Sequence, residues 1–570
     1  MKEIGFKNFR KYKDFKTMTL KPITIFTGGN NAGKSTVVKA ILTLNEFLSG
    51  AQNPYIKDDR EFPIQQNDVY QEEQKQESPK KKLDRRMKTL LDNRFYFNKN
   101  YFTHIGTFKR ALYNKATEEV ISFDTIVNNY HDLSISVERD GDDDAISGRV
   151  SHIVLRDRVL NVEYEFDFNA NSSKVTLHKM PGVMYEDYLE GRKALLEMRK
   201  EKIASSTASS RRSFLSRLQQ EIEDMESYFN EIKHDITFSL KIVEDYPNDD
   251  YMQSDDLISG LVEKILYDLD STMDSDAEIT GEEDENDRHR FRWRRKLREG
   301  EVPPVVISDL LGTDYLKFIA KHVNVLRRTY PSRVADEVEY IYAHAVTQNV
   351  IYHAKDKSDY LVRVVDDYAN ASITTATKRW MTRWMSSFGI GKDCVVEPFG
   401  GESNIVKIIN KDGSIVNLAD KGMGSIQLMT LLFRLATIIN EGNPNYMPLV
   451  LVEEPEQNLH PNLQSKLAEL FWELNQVYRI PFVIETHSEY LIRKTQVIVA
   501  EMNSANDDEP KKQNPFVVYY FSDEKKQPYY EMRYKENGMF QDEFGSGFFD
   551  EATNMFMQIA LKDSTLEDND

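Results

Sequence analysis

The run Thr27-Gly28-Gly29-Asn30-Asn31-Ala32-Gly33-Lys34-Ser35-Thr36 constrains this chain more than any other feature. Gly28, Gly33, Lys34 and Ser35 keep the spacing G-x-x-x-x-G-K-[ST]. A short β-rich run, Ile23-Thr24-Ile25-Phe26, precedes it, and a helical pattern through Val37, Ile41, Leu44 and Phe47 follows. Strand, glycine loop and helix form the setting in which such a loop wraps phosphates. Glycines let backbone N–H groups turn inward, and the helix N-terminus adds a partial positive charge. On this reading Gly28, Gly29, Asn30, Asn31, Ala32, Gly33, Lys34, Ser35 and Thr36 cradle ATP. Lys34 reaches its β- and γ-phosphates, and the Ser35 hydroxyl ligates magnesium. The plainer alternative, a glycine turn followed by a surface lysine, does not account for the flanking strand and helix.

Three further segments complete a nucleotide site. Pro448-Leu449-Val450-Leu451-Val452 is a buried-strand run that stops at Glu453-Glu454-Pro455-Glu456. A buried parallel strand ending in consecutive carboxylates suits a Walker B motif. Glu453 stands where a magnesium-associated carboxylate is needed, and Glu454 is the candidate general base for the attacking water. The bland alternative is an acidic cap on the helix that follows. Ile480 to Ser488 is a second strand with a polar end, and its His487 is placed to contact the γ-phosphate. Gly422, Gly424 and Ser425 open a helix built on Leu428, Leu431, Leu432 and Leu435, which makes a second phosphate-binding nest. One site seldom needs two nests on the same phosphates. The second therefore serves ATP held by another subunit, which predicts a homodimer or higher homo-oligomer.

Bulk properties bound the rest. The chain has 570 residues, too many for one simple core, so two or three structural units are expected. Its net charge of −19 argues against coating DNA through bulk charge but leaves room for local basic patches. The single cysteine, Cys394, allows no intramolecular disulfide and suits a reducing compartment. No stretch reads as the ~18–20 apolar residues of a membrane span, and the start lacks the pattern of a signal peptide. The expectation is a cytoplasmic protein with no membrane partner.

Residues 51–95 are polar and read as a surface loop, and 101–180 are mostly β in pattern. There Val162, Tyr164, Phe166 and Phe168 alternate with Glu163, Glu165 and Asp167, and a turn at Asn169 to Ser172 leads to Val175 and Leu177, so a hairpin is expected. Leu215, Leu218, Ile222, Met225, Phe229 and Ile232 step as a heptad seam of a few turns. Such a seam fits an intersubunit contact or a helix packed in the molecule's own core. Asp274 to Asp287 is acidic and reads as disordered, and it runs into the basic stretch Arg288 to Lys296. That stretch, with Phe291 and Trp293 interleaved, is either a DNA contact or a solvated face paired with the acidic segment. The expected architecture is α/β: residues 1–50 and 395–570 form the ATPase head, 51–184 a variable loop plus β-rich lobe, and 185–394 a large helical insertion with a short coiled-coil-like arm.

The order of these motifs resembles the ABC-type P-loop ATPase heads of the OLD-like and Rad-type repair group. The opening with Asn8-Phe9-Arg10 and the segment Gly29 to Thr36 look like theirs. Glu453-Glu454-Pro455-Glu456 with Leu459-His460-Pro461, then Thr486-His487-Ser488, resembles the OLD-like branch in particular. Gly422-Met423-Gly424-Ser425 looks like a degenerate ABC signature. The resemblance implies two heads that sandwich two ATPs, with Gly424 and Ser425 on the partner's nucleotide. Glu453 replaces the usual Walker B aspartate, and His460 stands where many ABC proteins have the D-loop aspartate, so turnover is expected to be slow. The residues after Ser488 look too short for the TOPRIM nuclease of many OLD-like proteins. The chain resembles instead the stand-alone ATPase of bacterial antiphage systems of the Septu type, which implies a separate HNH nuclease as partner. A DNA-repair ATPase that binds DNA directly is the alternative.

Overall fold

The computed structural model describes residues 2–48, 94–97, 105–127, 131–141, 145–170, 172–203, 235–241, 338–341, 352–353, 360–400, 403–442, 447–504, 513–522, 527–545, 548–551 and 554–559, with parts of 215–226. It divides into two compact units. Met1–Met18, Thr43–Asp58 and Ile64–Ala335 form the first, and Thr19–Leu42, Asp59–Pro63 and Asp336–Asp570 the second.

The first unit is built on an antiparallel sheet. Its strands are β1 (Glu3–Phe9), β2 (Tyr12–Thr19, whose last residue belongs to the second unit), β4 (Arg94–Tyr96), β5 (Val120–Val127), β6 (His131–Arg139), β7 (Ser147–Asp157), β8 (Val162–Asp167), β9 (Ser172–Leu177) and β10 (Ile236–Lys241). They run in the order β10-β9-β8-β7-β6-β5-β1-β2, with β4 added on β7. The expected alternation holds in β8: Val162, Tyr164 and Phe166 are buried while Glu163, Glu165 and Asp167 face outward. A period of two puts every second side chain on the core face. The outward carboxylates meet basic side chains across the strands, Glu163 with Arg156 and Glu165 with His152 and Lys174. The β8–β9 hairpin closes with Asp167 opposite Ser172, as its turn residues predict. Phe6 of β1 stacks on Phe15 of β2 and meets Phe9 edge-on, and Tyr12 packs at a tilt against Phe15.

The second unit carries the P-loop on a largely parallel sheet. Its strands are β3 (Ile23–Gly28), β11 (Val338–Ile341), β16 (Leu449–Glu453), β17 (Phe482–Glu485), β18 (Phe516–Phe521) and β19 (Tyr529–Met532). The order is β11-β16-β17-β3-β18-β19, with every pair parallel except the last. All six residues of β3, all four of β17 and all six of β18 are buried. Strands covered on both faces read as continuous apolar runs, which is why these segments show no alternation in sequence. A smaller antiparallel sheet joins β12 (Tyr352–His353), β14 (Ser403–Ile409), β13 (Asp393–Phe399) and β15 (Ile415–Asn417). The longer helices among the described residues are α1 (Lys34–Leu48, shared with the first unit), α2 (Tyr185–Ile203, in the first unit), α3 (Tyr360–Asn370), α4 (Thr375–Phe388), α5 (Met423–Glu441), α6 (Pro461–Tyr478) and α7 (Glu489–Asn503).

Two expectations need amendment. The segment 185–394 is not helical throughout: it supplies β10 to the antiparallel sheet and β11, which pairs with Leu449–Val452, to the parallel one. β11, with four residues, is too short to show a period, whereas β10 carries the alternation of Ile236, Phe238 and Leu240 with Thr237, Ser239 and Lys241, which the helical expectation passed over. Second, α5 is long and apolar enough to cross a membrane by length and composition. Its residues Ile426 to Ile438 are mostly buried and it packs on α3 and α4, so it is a core helix.

The heptad seam is buried at Leu218, Ile222 and Met225, and the Tyr185 hydroxyl of α2 donates to the Met225 carbonyl at 3.3 Å. Lys193 pairs with Glu226 at 2.6 Å. These described positions therefore face a helix of the same chain. Phe229, Ile232, the acidic stretch 274–287 and the basic stretch 288–296 lie outside the described residues.

Candidate functional site

The parallel register brings three strand ends together. Glu453 of β16 stands opposite Glu485 of β17, and Glu485 opposite Phe26 of β3, two residues before Gly28. Ligand sites in such sheets lie outside the carboxyl ends of the strands. The P-loop leaves β3 at that end. Gly28 has φ +132°, and a Cβ there would lie 2.1 Å from the Phe521 carbonyl oxygen of the adjacent β18. Both the backbone angle and the contact demand glycine. Beside Gly29, by contrast, a Cβ would meet nothing within 4 Å, so the loop presents an open face.

Lys34 is 3% exposed, and its Nζ donates to the carbonyls of Gly28 at 3.2 Å and Gly29 at 3.0 Å. The ammonium is thereby held over the loop that is to receive phosphate. Ser35 Oγ donates to Glu485, 3.1 Å from one carboxylate oxygen and 3.3 Å from the other. Burial first, and Glu453 next, push the Glu485 carboxyl up to about 7. Sequence reasoning passed over Glu485; the signal was a carboxylate at the end of an otherwise apolar strand, directly before Thr486-His487-Ser488.

Glu454 has φ +43°, the left-handed region that a non-glycine residue enters at a cost. Its N–H donates to the Glu485 carbonyl at 2.7 Å, which turns the chain sharply off β16. One of its carboxylate oxygens accepts from Gln457 Nε2. The other lies 3.7 Å from His487 Nε2. Burial first and Lys34 second hold the His487 imidazole below its ordinary range, against the opposing pull of Glu454. The imidazole is therefore neutral at pH 7 and this contact is not an ion pair. Glu456, 8% exposed, accepts the His487 backbone N–H at 2.6 Å. Its second oxygen is buried without a hydrogen-bond partner among the described residues, and burial pushes its carboxyl up.

The predicted second nest opens α5. Gly422 is its N-cap, without a side-chain hydrogen bond, and the Ser425 N–H donates to the Gly422 carbonyl at 2.8 Å. A Cβ on Gly424 would lie 2.6 Å from the Asn458 carbonyl oxygen, so the helix start presses on the loop that follows Glu454. Gln427, buried in α5, holds the same loop: its amide N–H group lies 3.4 Å from the Glu454 carbonyl oxygen, and Asn458 Nδ2 lies 3.3 Å from its Oε1. His460 caps α6, with its Nδ1 accepting from the Asn462 N–H and Pro461 in the first turn. Ser488 caps α7 and donates to Gln464 on α6 at 2.6 Å. The sequence reading assigns no role to Glu456, Gln457, Gln427 or Gln464, since polar side chains that bond to loop backbone or to each other carry no periodic signal.

The donor set fits a magnesium nucleotide. A serine hydroxyl beside carboxylates offers hard oxygen ligands. Glu453 and Glu485 stand at adjoining strand ends beside the Ser35 hydroxyl, and oxygen donors of that kind suit a divalent cation. Among the described residues no group of three or more His, Cys, Asp or Glu side chains is preassembled around one metal position. Magnesium usually takes one or two protein oxygens and completes its shell with phosphates and water.

Comparison with solved structures returned Smc head domains. One from Pyrococcus furiosus, with an extended coiled coil and bound to the C-terminal domain of ScpA, has 10% identity and a TM-score of 0.30 over 98% of this chain and 99% of that one. The head domain from Thermotoga maritima has 8% identity and a TM-score of 0.30 over 95% and 96%. A third, bound to the C-winged helix domain of ScpA, has 11% identity and a TM-score of 0.31 over 97% and 99%. Likeness at this level bears no weight for function. No match was found among curated proteins. The family model for the AAA ATPase domain matches residues 1–492, which takes in the P-loop, Glu453, Glu454 and His487. A match of that extent, over a site with this geometry, means that the chain belongs to the AAA ATPase domain family.

Proposed function

We propose that this ATPase hydrolyses ATP between two copies of itself and uses the cycle to control a nuclease carried by a separate chain. The observation that supports hydrolysis is the meeting of Lys34, Ser35, Glu454 and His487 at adjoining strand ends, through β3, β16 and β17. Lys34 binds the β- and γ-phosphates. Glu454 orients a water and takes its proton as the water oxygen bonds to the γ-phosphorus. The bond from that phosphorus to the bridging oxygen breaks, and ADP leaves with the electron pair. His487, neutral, donates a hydrogen bond to the γ-phosphate. Magnesium, when bound with Ser35 and Glu453 as its protein contacts, offsets the phosphate charge.

Gly422, Gly424 and Ser425 are the contacts proposed for a partner's nucleotide. Their support is an N-terminal turn of α5 with no side-chain cap, whose first N–H groups can take phosphate, while Ser425, its N–H already donated to the Gly422 carbonyl, offers its hydroxyl. The nuclease partner, of HNH type, and a role in antiphage defence are supported by the OLD-like motifs and by resemblance to Septu ATPases. DNA is then reached through that partner.

The test is ATP hydrolysis and plasmid cleavage by the purified chain with magnesium, beside Lys34→Ala. Phosphate release that the substitution abolishes, with the plasmid left intact, supports both parts. Cleavage by the chain alone overturns the separate nuclease, and phosphate release unaffected by Lys34→Ala overturns the site.

A further inference from the structure

Glu485 is 5% exposed at the end of β17 and is given no part in the hydrolysis proposed above. Both of its carboxylate oxygens lie within hydrogen-bond distance of Ser35 Oγ, at 3.1 and 3.3 Å. A serine hydroxyl has one proton and two lone pairs. With the proton donated to a carboxylate, the lone pairs are left to ligate a cation. A hydroxyl free to rotate would offer its proton to the cation in part of its orientations, and magnesium tolerates little departure from octahedral order. The placement is secured by backbone as well: Glu485 is register-paired with Glu453, and its carbonyl accepts the Glu454 N–H at 2.7 Å. The side chain that the Walker B reading assigns to the metal, Glu453, is thus one strand away from the side chain that takes the Ser35 proton.

We propose that Glu485 is a positioning residue for magnesium: it fixes the Ser35 hydroxyl so that the oxygen, and not the proton, meets the cation of the bound nucleotide. This rests on the nucleotide reading of the P-loop. Outer partners of this kind change metal affinity through the ligand they orient. The effect of losing Glu485 therefore depends on Ser35 being present. A hydrogen-bond acceptor without charge also suffices, so glutamine replaces glutamate here whereas leucine does not.

The experiment titrates magnesium into the full chain with a fluorescent ATP analogue and reads the concentration that gives half-maximal binding. Glu485→Leu is expected to raise that concentration by about 10–100-fold, while Glu485→Gln stays within a few-fold of wild type. Combining Glu485→Leu with Ser35→Ala is expected to add nothing to Ser35→Ala alone. If melting shows Glu485→Leu to be unfolded, Glu485→Ala takes its place with the same expectations. An unchanged magnesium requirement in the leucine or alanine variant overturns the proposal. So does an equal loss with glutamine, or additivity with Ser35→Ala. Wild-type chain that binds no nucleotide at any magnesium concentration overturns the underlying nucleotide reading instead.

Discussion

The Glu456 carboxylate accepts the backbone N–H of His487 at 2.6 Å and so ties the loop after β16 to the loop after β17. The side chain of His487 then lies 3.7 Å from Glu454, the candidate general base. A buried carboxylate thus sets the distance between two residues that both face the γ-phosphate in the proposed mechanism. Glu456→Ala is expected to lower kcat by roughly 10–100-fold, within the range expected for a misplaced acid–base group. Affinity for ATP should change little. Glu456→Gln retains an acceptor for the His487 N–H and should stay close to wild type. Steady-state phosphate release over a range of ATP concentrations separates the two effects.

Glu454→Gln removes the proton acceptor but leaves shape and hydrogen bonding nearly intact. Turnover should fall by about 10²–10⁴-fold, the range for a lost general base. Nucleotide should still bind, and the variant should accumulate as an ATP-bound dimer. Phosphate release together with sedimentation in ATP checks both; normal turnover in this variant removes Glu454 from its assigned role.

Lys34→Ala leaves the carbonyls of Gly28 and Gly29 without their ammonium partner and the phosphates without a cation. Affinity for ATP should fall by at least about 10–100-fold, since hydrogen bonds to charged groups contribute roughly 1.5–3 kcal/mol. Calorimetric titration measures it directly, and the oligomeric state without nucleotide should not change.

Gly424→Ala places a methyl group 2.6 Å from the Asn458 carbonyl oxygen. Backbone is on one side of the contact and the α5 helix on the other, so neither yields easily. A loss of roughly 1–3 kcal/mol is expected from such overpacking. A urea-unfolding midpoint that falls, with hydrolysis reduced because the Glu454 loop moves, is the predicted outcome. The same substitution at Gly422, where a Cβ meets nothing within 4 Å, should cost less, limited to the poorer N-cap that alanine makes.

His131, buried in β6, has its imidazole pushed down to about 4 by that burial, from an ordinary value near 6.5. The buried Asp157 carboxylate lies 3.8 Å from its Nε2 and favours the charged form, but burial is the larger effect and disfavours the imidazolium. Below about pH 6.5 the unfolded chain binds a proton that the folded chain refuses until about pH 4, so stability falls as pH drops through that window. The full contribution is on the order of 3 kcal/mol. Unfolding of wild type and His131→Gln at pH 7.5 and pH 4.5 should show the smaller loss in the variant.

Legibility in the sequence followed the length scale of the interaction. Gly28 to Ser35 and Glu453-Glu454 were readable because their chemistry is held in contiguous residues, with β3 or β16 leading in and α1 leading out. The alternation of Val162, Tyr164 and Phe166 was readable because a half-buried strand writes its period into composition. Glu485, Glu456 and Gln427 were not, since each acts on a residue far away in sequence: Ser35, His487 and the loop at Glu454 and Asn458. Nor was β11, a four-residue strand recognised as one only by its register with Leu449–Val452.

The sequence by itself determined that a phosphate-binding loop follows a buried strand and that a second buried strand ends in paired carboxylates, because glycine spacing and apolar runs impose those local structures. The tertiary structure decided which carboxylate takes the Ser35 proton and which one holds His487. Those choices depend on the order β16-β17-β3 and on the register of its parallel pairs. Register is set by packing across the whole sheet, and no local stretch of residues encodes it.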